Sequence, residues 1–174
     1  GTVLMEYSNA FGHLLLTTGN KSELSVGYCT LYGDTNGGLG LIGDLYKTEI
    51  FALSRHVNEH AGRELIPQAI IDKEPSAELA PDQKDADSLP PYPVLDEVLK
   101  LLIEGEGLSR SEYQAAHDFV QALHESADGR ALVQRVRLPV ARSEYKRRQA
   151  PPIVRVRAKA FGNGRQMPIA ARYV

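Results

Sequence analysis

The segment "LLLTTGNKSELS", residues 14–25, gathers two threonine hydroxyls, a glycine, a lysine and a carboxylate between an apolar run and the start of a helical pattern. A helix start presents unpaired N–H groups and the positive end of the peptide dipoles, so a phosphate is stabilised there. Thr17 or Thr18 is placed to bond a base or a ribose, and Glu23 to hold magnesium or a ribose hydroxyl. The same residues also fit a purely structural account. Asn20 followed three positions later by Glu23 is a variant of the reciprocal capping pattern, and Lys21 would then be a solvated surface charge. Residue types alone leave both accounts open.

Other segments carry weaker chemical signals. "GLGLIG", Gly38 to Gly43, has the spacing of a dinucleotide fingerprint, but "GDTNG" precedes it where a strand is required, and the next helical signal begins only near Lys47. A hydride-transfer reading is therefore rejected in favour of tight turns or a close backbone approach. Lys47 opens a helix, where a cation is poorly matched to the dipole and needs either an anionic ligand or solvent exposure. "EYKRRQ" crowds Lys146, Arg147 and Arg148 together; this is either a solvated basic face or a site whose anions hold the cations together. Cys29 is the only cysteine and has no histidine nearby in sequence, so it reads as an inert thiol. The five histidines lack metal-ligand spacing. No catalytic residue is assigned.

The elements that must position these groups follow from periodicity. Val3, Leu4, Tyr7 and Phe11 recur at helical intervals, and the consecutive Leu14, Leu15 and Leu16 predict a strand covered on both faces, as in a parallel sheet flanked by helices. A helix from Lys47 to about His60 turns Ile50, Leu53, Ser54 and Val57 to one side and ends at Gly62. The acidic, proline-rich tract over residues 73–93 has few apolar side chains and reads as a mobile loop or lid. Three helices follow: "VLDEVLKLLIEG" ended by Gly105, "SRSEYQAAHDFVQALHES" with Val120 and Leu123 turned inward, and "DGRALVQRVRL" ended near Pro139. The tail is basic and carries a Gly-Asn-Gly turn at Gly162 to Gly164.

Bulk composition bounds the rest. The chain has 174 residues, 43% hydrophobic and 24% charged, which suits one globular core, and twenty basic against twenty-two acidic residues give a net charge of −2. No overall field draws the molecule to nucleic acid or an anionic membrane, so any anion site is local. No apolar run reaches the roughly 20 residues a spanning helix needs. A single cysteine and the absence of a secretion-signal pattern point to the cytoplasm.

Taken together and in order, "LMEYSNAFGHLLLTTGNKSELSVGYCTLYGD", "GGLGLIGDLYKTEIFALSRHVN", "KEPSAELAPDQKDADSLPPYPVLD", "SEYKRRQAPP", "AFG" and "MPIAARY" resemble successive blocks of bacterial glutamine-dependent NAD+ synthetases. The resemblance implies an α/β fold: part of a parallel-sheet, Rossmann-like domain of the adenine-nucleotide alpha-hydrolase type, with additional C-terminal helices. It further implies ligase chemistry in which ATP adenylates the nicotinate carboxylate of deamido-NAD+, pyrophosphate leaves, and ammonia displaces AMP, with magnesium offsetting the phosphate charge. Carried over by matching position, Thr18 contacts ATP, Glu23 faces deamido-NAD+ and magnesium, and Tyr28, Asp34, Lys47 and Lys146 face deamido-NAD+.

The resemblance also sets expectations about what the chain is. Residues 1–174 correspond to the C-terminal portion of the synthetase domain. The family's phosphate loop, Ser-Gly-Gly-x-Asp-Ser, would lie before Gly1, as would the nitrilase-like glutaminase domain that supplies ammonia. A fragment of this kind is expected neither to hydrolyse glutamine nor to complete the synthetase reaction alone, and the family implies a homo-oligomer. Two alternatives remain: a sister ATP pyrophosphatase amidating another acid, and a nucleotide-binding module without catalysis.

Overall fold

The computed structural model describes residues 1–77, 79–162, 164–165 and 167–169; Asn163 of the expected Gly-Asn-Gly turn and the end of the "MPIAARY" block lie outside them. Helix α1 (Thr2–Phe11) leads into strand β1 (Leu16–Thr17), which pairs in parallel with β2 (Leu39–Gly40), Leu16 opposite Leu39. Ile153 extends the pairing on the far side of β2 through a parallel bridge at Gly40. Gly40 N–H donates to the Pro152 carbonyl at 2.9 Å, and Val154 N–H to that of Gly40 at 3.2 Å. The expected parallel α/β arrangement is present, but among the described residues the sheet is narrow. The leucine run is not covered on both faces: Leu14 and Leu16 are exposed, as are Val3, Leu4, Tyr7 and Phe11 of α1. Their periodicity marks surfaces able to be buried, and no described helix lies over them.

The core sits around helix α5 (Tyr92–Leu99), where Leu95, Val98 and Leu99 are fully buried at the i, i+3, i+4 spacing of one helix face. One π-helical turn, Lys100–Glu104, carries the chain on and buries Ile103 and Glu104. Around α5 pack α2 (Lys21–Val26), α3 (Lys47–Ala61), α6 (Arg110–His124) and α7 (Ala127–Arg142). The short α4 (Gln68–Asp72) precedes the acidic tract. Val120, Val133, Val136 and Val140 complete the core, with Leu123 packed against it.

Two helix boundaries differ from expectation. Helix α7 passes through Pro139 and ends at Arg142, because proline forfeits only one intrahelical bond and Val136 and Val140 on either side of it are held in the core. On α3, which begins at Lys47 and ends at Gly62 as expected, Ile50, Ser54 and Val57 are half-buried but Leu53 is exposed, and Phe51 takes the inward place.

Helix α2 ends at Gly27, which adopts the left-handed φ of 71°. Helix α8 (Glu144–Arg147), far along the chain, and its leading Ser143 pack so closely there that an added Cβ would lie 2.2 Å from Ser143 Oγ. Both the backbone conformation and the contact exclude a larger residue. Gly27→Ala is expected to cost about 2 kcal/mol, the sum of the left-handed penalty and local overpacking. Urea denaturation with an unchanged midpoint would contradict this.

Candidate functional site

The reciprocal cap predicted at α2 is formed: Asn20 Oδ1 accepts from Glu23 N–H at 2.9 Å, and Glu23 Oε2 accepts from Asn20 N–H at 3.1 Å. The cap uses one carboxylate oxygen of Glu23. The other, Oε1, accepts from Lys47 Nζ at 3.0 Å, so the first turns of α2 and α3 present an ion pair to one cavity. That cavity holds about 960 Å³ and is walled by Thr18, Glu23, Tyr28, Asp34, Lys47 and Lys146. All six residues singled out in the sequence therefore line a single space. Thr17 does not; it is buried beside Gly37, so of the two threonines only Thr18 faces the cavity.

Lys47 does not stand alone at its helix start. Its ammonium lies 5.4 Å from the Tyr92 ring centroid and against Glu23, so the dipole mismatch is offset within the protein. The α3 N–H groups are satisfied from neighbouring elements: Lys47 N–H donates to Ser22 Oγ at 2.9 Å and Thr48 N–H to Asp96 Oδ2 at 2.9 Å.

Lys146 donates to the carbonyls of Gly27 and Cys29, each at 2.8 Å, and the same residue borders the cavity. The basic cluster is not a solvated basic face. Arg147 is buried, donating to the Ser25 carbonyl at 2.7 Å, to that of Val140 at 2.6 Å and to Glu144 at 3.1 Å. Arg148 is exposed and pairs with Glu144 at 2.8 Å. Their mutual repulsion is offset by the carbonyls at the end of α2, which accept from Lys146 and Arg147, and by Glu144, which pairs with Arg147 and Arg148.

Lys21 is a second correction. It is fully buried, and its ammonium meets Asp44 at 2.7 Å, Glu104 at 3.0 Å and the Lys159 carbonyl at 2.6 Å. Three donors find three acceptors, so the residue is a structural anchor under the α2 turn. The glycine-rich loop is equally structural: a Cβ on Gly43 would lie 2.5 Å from Ile153, so that glycine admits Ile153 rather than a phosphate.

The acidic tract lies against the cavity, which Ser76, Ala77, Leu79, Gln83 and Asp85 also line. It is tied down: buried Asp85 accepts from Tyr92 Oη at 2.6 Å, its N–H donates to the Pro75 carbonyl at 2.9 Å, and Lys84 pairs with Glu74 at 2.7 Å. Asp85 was missed in the sequence because a carboxylate in a proline-rich acidic run reads as solvated. Burial, with Asp85 adding to it, raises the pKa of the Tyr28 phenol, so that hydroxyl is a hydrogen-bond donor at neutral pH. Burial pushes the Cys29 thiol up to about 11, with Lys146 opposing, which keeps it protonated and unreactive.

The ionisable wall thus carries Lys47 and Lys146 against Glu23, Asp34 and Asp85. A polyphosphate entering it meets more carboxylates than lysines, so it needs an accompanying cation. Among the described residues no group of three or more His, Cys, Asp or Glu side chains forms a metal cage. Both oxygens of Glu23 are engaged, Oε2 in the α2 cap and Oε1 on Lys47, so a magnesium ion beside it would be held chiefly by waters and ligand phosphates. No described helix is long and apolar enough to cross a membrane.

Comparison with known proteins gives this geometry a context. Residues 1–150 match the family model described as NAD synthase. The chain is 49% identical over 173 residues to a glutamine-dependent NAD(+) synthetase of Synechocystis sp., covering 99% of this chain and 29% of that protein. It is 46% identical over 173 residues to one from Thermotoga maritima, covering 99% and 28%. The chain therefore spans less than a third of the length of these relatives. In fold it resembles the crystal structure of a glutamine-dependent NAD(+) synthetase from Cytophaga hutchinsonii, with a TM-score of 0.65 and 23% identity over 97% of this chain and 26% of that one.

Proposed function

Since the chain belongs to the NAD synthase family, we propose that its cavity is one wall of the site at which the nicotinate carboxylate of deamido-NAD+ is activated by ATP and amidated by ammonia. The observation that carries this reading is the convergence of Thr18, Glu23, Tyr28, Asp34, Lys47 and Lys146 on one space large enough for a nucleotide. The surrounding domain is taken to be the parallel-sheet, Rossmann-like type of adenine-nucleotide alpha hydrolases.

In this reading Thr18 bonds the adenosine of ATP at the carboxyl end of β1, where open parallel sheets collect ligands. Lys146, fixed by the two carbonyls at the end of α2, presents a cation to the anionic dinucleotide, and Lys47 offers a second. Tyr28 and Asp34 supply a donor and an acceptor for its ribose hydroxyl and adenine amino groups. Glu23, together with the ligand's phosphates, would hold a magnesium ion, which would offset the phosphate charge. Activation is needed because a carboxylate is a poor electrophile; adenylation turns its oxygen into a leaving group that ammonia displaces as AMP. Ammonia comes from a glutaminase domain, and the phosphate loop from a segment outside this sequence, so the chain contributes binding rather than complete turnover. The working assembly is a cytoplasmic homo-oligomer.

Calorimetric titration of the chain with deamido-NAD+ in the presence of ATP and magnesium should show saturable binding. Lys146→Met should weaken it about tenfold, as expected for losing one charge-assisted hydrogen bond. If neither nucleotide binds the folded chain, or if the chain forms NAD+ from ammonia at a full-length relative's rate, the reading is wrong.

A further inference from the structure

One carboxylate is engaged with the cavity wall without touching the cavity. Asp96 lies on α5 and is fully buried. Its Oδ1 accepts from Ser22 Oγ at 2.5 Å, and its Oδ2 accepts from both Thr48 N–H at 2.9 Å and Thr48 Oγ1 at 2.8 Å. Ser22 Oγ is itself an acceptor for Lys47 N–H at 2.9 Å. The chain of contacts therefore runs from α5, through the first turn of α2, to the first two residues of α3.

This is an unusual way to begin a helix. The residue preceding α3, Tyr46, makes no side-chain capping bond. The unpaired N–H groups of Lys47 and Thr48 are instead met by a serine from α2 and a carboxylate from α5, which places a negative charge at the positive end of a 15-residue helix. Glu23 follows Ser22 directly, and Lys47 precedes Thr48 directly. The two residues that Asp96 grips are thus the immediate chain neighbours of the Glu23–Lys47 pair. Three donors converge on a carboxylate that has lost its water, so any shift of either helix start leaves a buried charge under-satisfied.

We propose that Asp96 is a positioning residue that sets the distance between Glu23 and Lys47, and so shapes the part of the cavity that receives the anionic end of the nucleotide. The proposal rests on the reading of that cavity given above for its ligand, but the positioning itself is tested without one. Asp96→Asn keeps the size of the side chain while replacing one acceptor by a donor that opposes Thr48 or Ser22.

In the folded variant, amide hydrogen exchange at Thr48 should accelerate about tenfold relative to the interior of α3, the ratio for losing a hydrogen bond to a charged group, and that at Lys47 should rise with it as Ser22 Oγ loses its anchor. The Lys47 side-chain 15N signal should move towards that of a solvated lysine, which a uniform loss of stability would not produce. Affinity for deamido-NAD+ with ATP and magnesium should fall by a similar factor, and Asp96→Glu should recover part of it. Should Asp96→Asn fail to fold, Ser22→Ala, which removes the link between Asp96 and Lys47 but leaves both Thr48 bonds to Asp96, is read by the same signals.

Unchanged exchange at Lys47 and Thr48 in a folded variant overturns the proposal. So does full ligand affinity despite a displaced Lys47 signal. If the wild-type chain binds no nucleotide, the functional reading fails separately, and the exchange and 15N measurements still decide whether Asp96 sets the pair.

Discussion

Lys21→Met lowers the unfolding free energy by about 3–5 kcal/mol, the range for removing one partner of a buried ion pair. The methionine fills nearly the same volume, so the loss is electrostatic rather than a cavity effect. What remains is a pair of carboxylates, Asp44 and Glu104, at 1% exposure each, with their shared cation gone. Asp44 keeps the N–H groups of Val156 and Arg157, at 2.8 and 2.7 Å, whereas Glu104 keeps Arg157 at the longer 3.5 Å and the neighbouring Tyr46 phenol. Glu104 is therefore the carboxylate left less compensated. The Lys159 carbonyl also loses its donor, which loosens the segment leading to strand β3 (Ala160–Phe161). For a chain of this size the melting temperature should fall by about 6–20 °C. The double replacement Lys21→Met with Glu104→Gln should recover part of this, because it removes the orphaned charge along with its partner. A single variant that melts with the wild type would show that Lys21 is not the anchor described here.

How far such roles could be read in advance depends on how far away the partners lie. The cap of α2 by Asn20 and Glu23 joins residues three apart, and its pattern was visible. The start of α3 at Lys47 and its end at Gly62 are equally local signals. Lys21 answers to partners 23, 83 and 138 residues away, and nothing next to it in sequence distinguishes it from a solvated lysine. Asp96 is the same case, with partners 74 and 48 residues distant. Asp85 differs: Tyr92 is only seven residues on, yet the proline-rich acidic run around it carries the composition of a solvated loop. The leucine run of β1 erred in the other direction. Its apolar pattern states what the strand is able to bury, and the surface that would cover Leu14 and Leu16 is not supplied by any described element. Of the six cavity residues, Thr18, Glu23, Lys47 and Lys146 carry local signals of their own, whereas Tyr28 and Asp34 stand out only by resemblance to a family, and periodicity alone leaves all six scattered over 129 positions, from Thr18 to Lys146.

Arg147→Met separates structure from ligand binding within the basic cluster, and is expected to cost about 3 kcal/mol of stability, the lower end for breaking a buried charge pair. The guanidinium is 3% exposed and joins three elements: the carbonyls of Leu24 and Ser25 at the end of α2, that of Val140 on α7, and Glu144 at the start of α8. It also lies 5.0 Å from the Phe161 ring centroid. The lower end applies because Glu144 retains Arg148 at 2.8 Å and is not left uncompensated. Arg147→Lys should recover little of the loss, since one ammonium cannot reach carbonyls that the planar fork meets from separate nitrogens. The neighbouring Lys146→Met should behave in the opposite way, with a smaller stability change and a loss of nucleotide affinity, because Lys146 alone of the three borders the cavity. Thermal melts and calorimetric titrations of both variants, the latter at a temperature where each is folded, decide the matter. Equal effects of the two variants on affinity would mean that the basic run acts as one electrostatic patch. A division of labour, with Arg147 joining helices and Lys146 meeting the ligand, requires stability to follow the first and affinity the second.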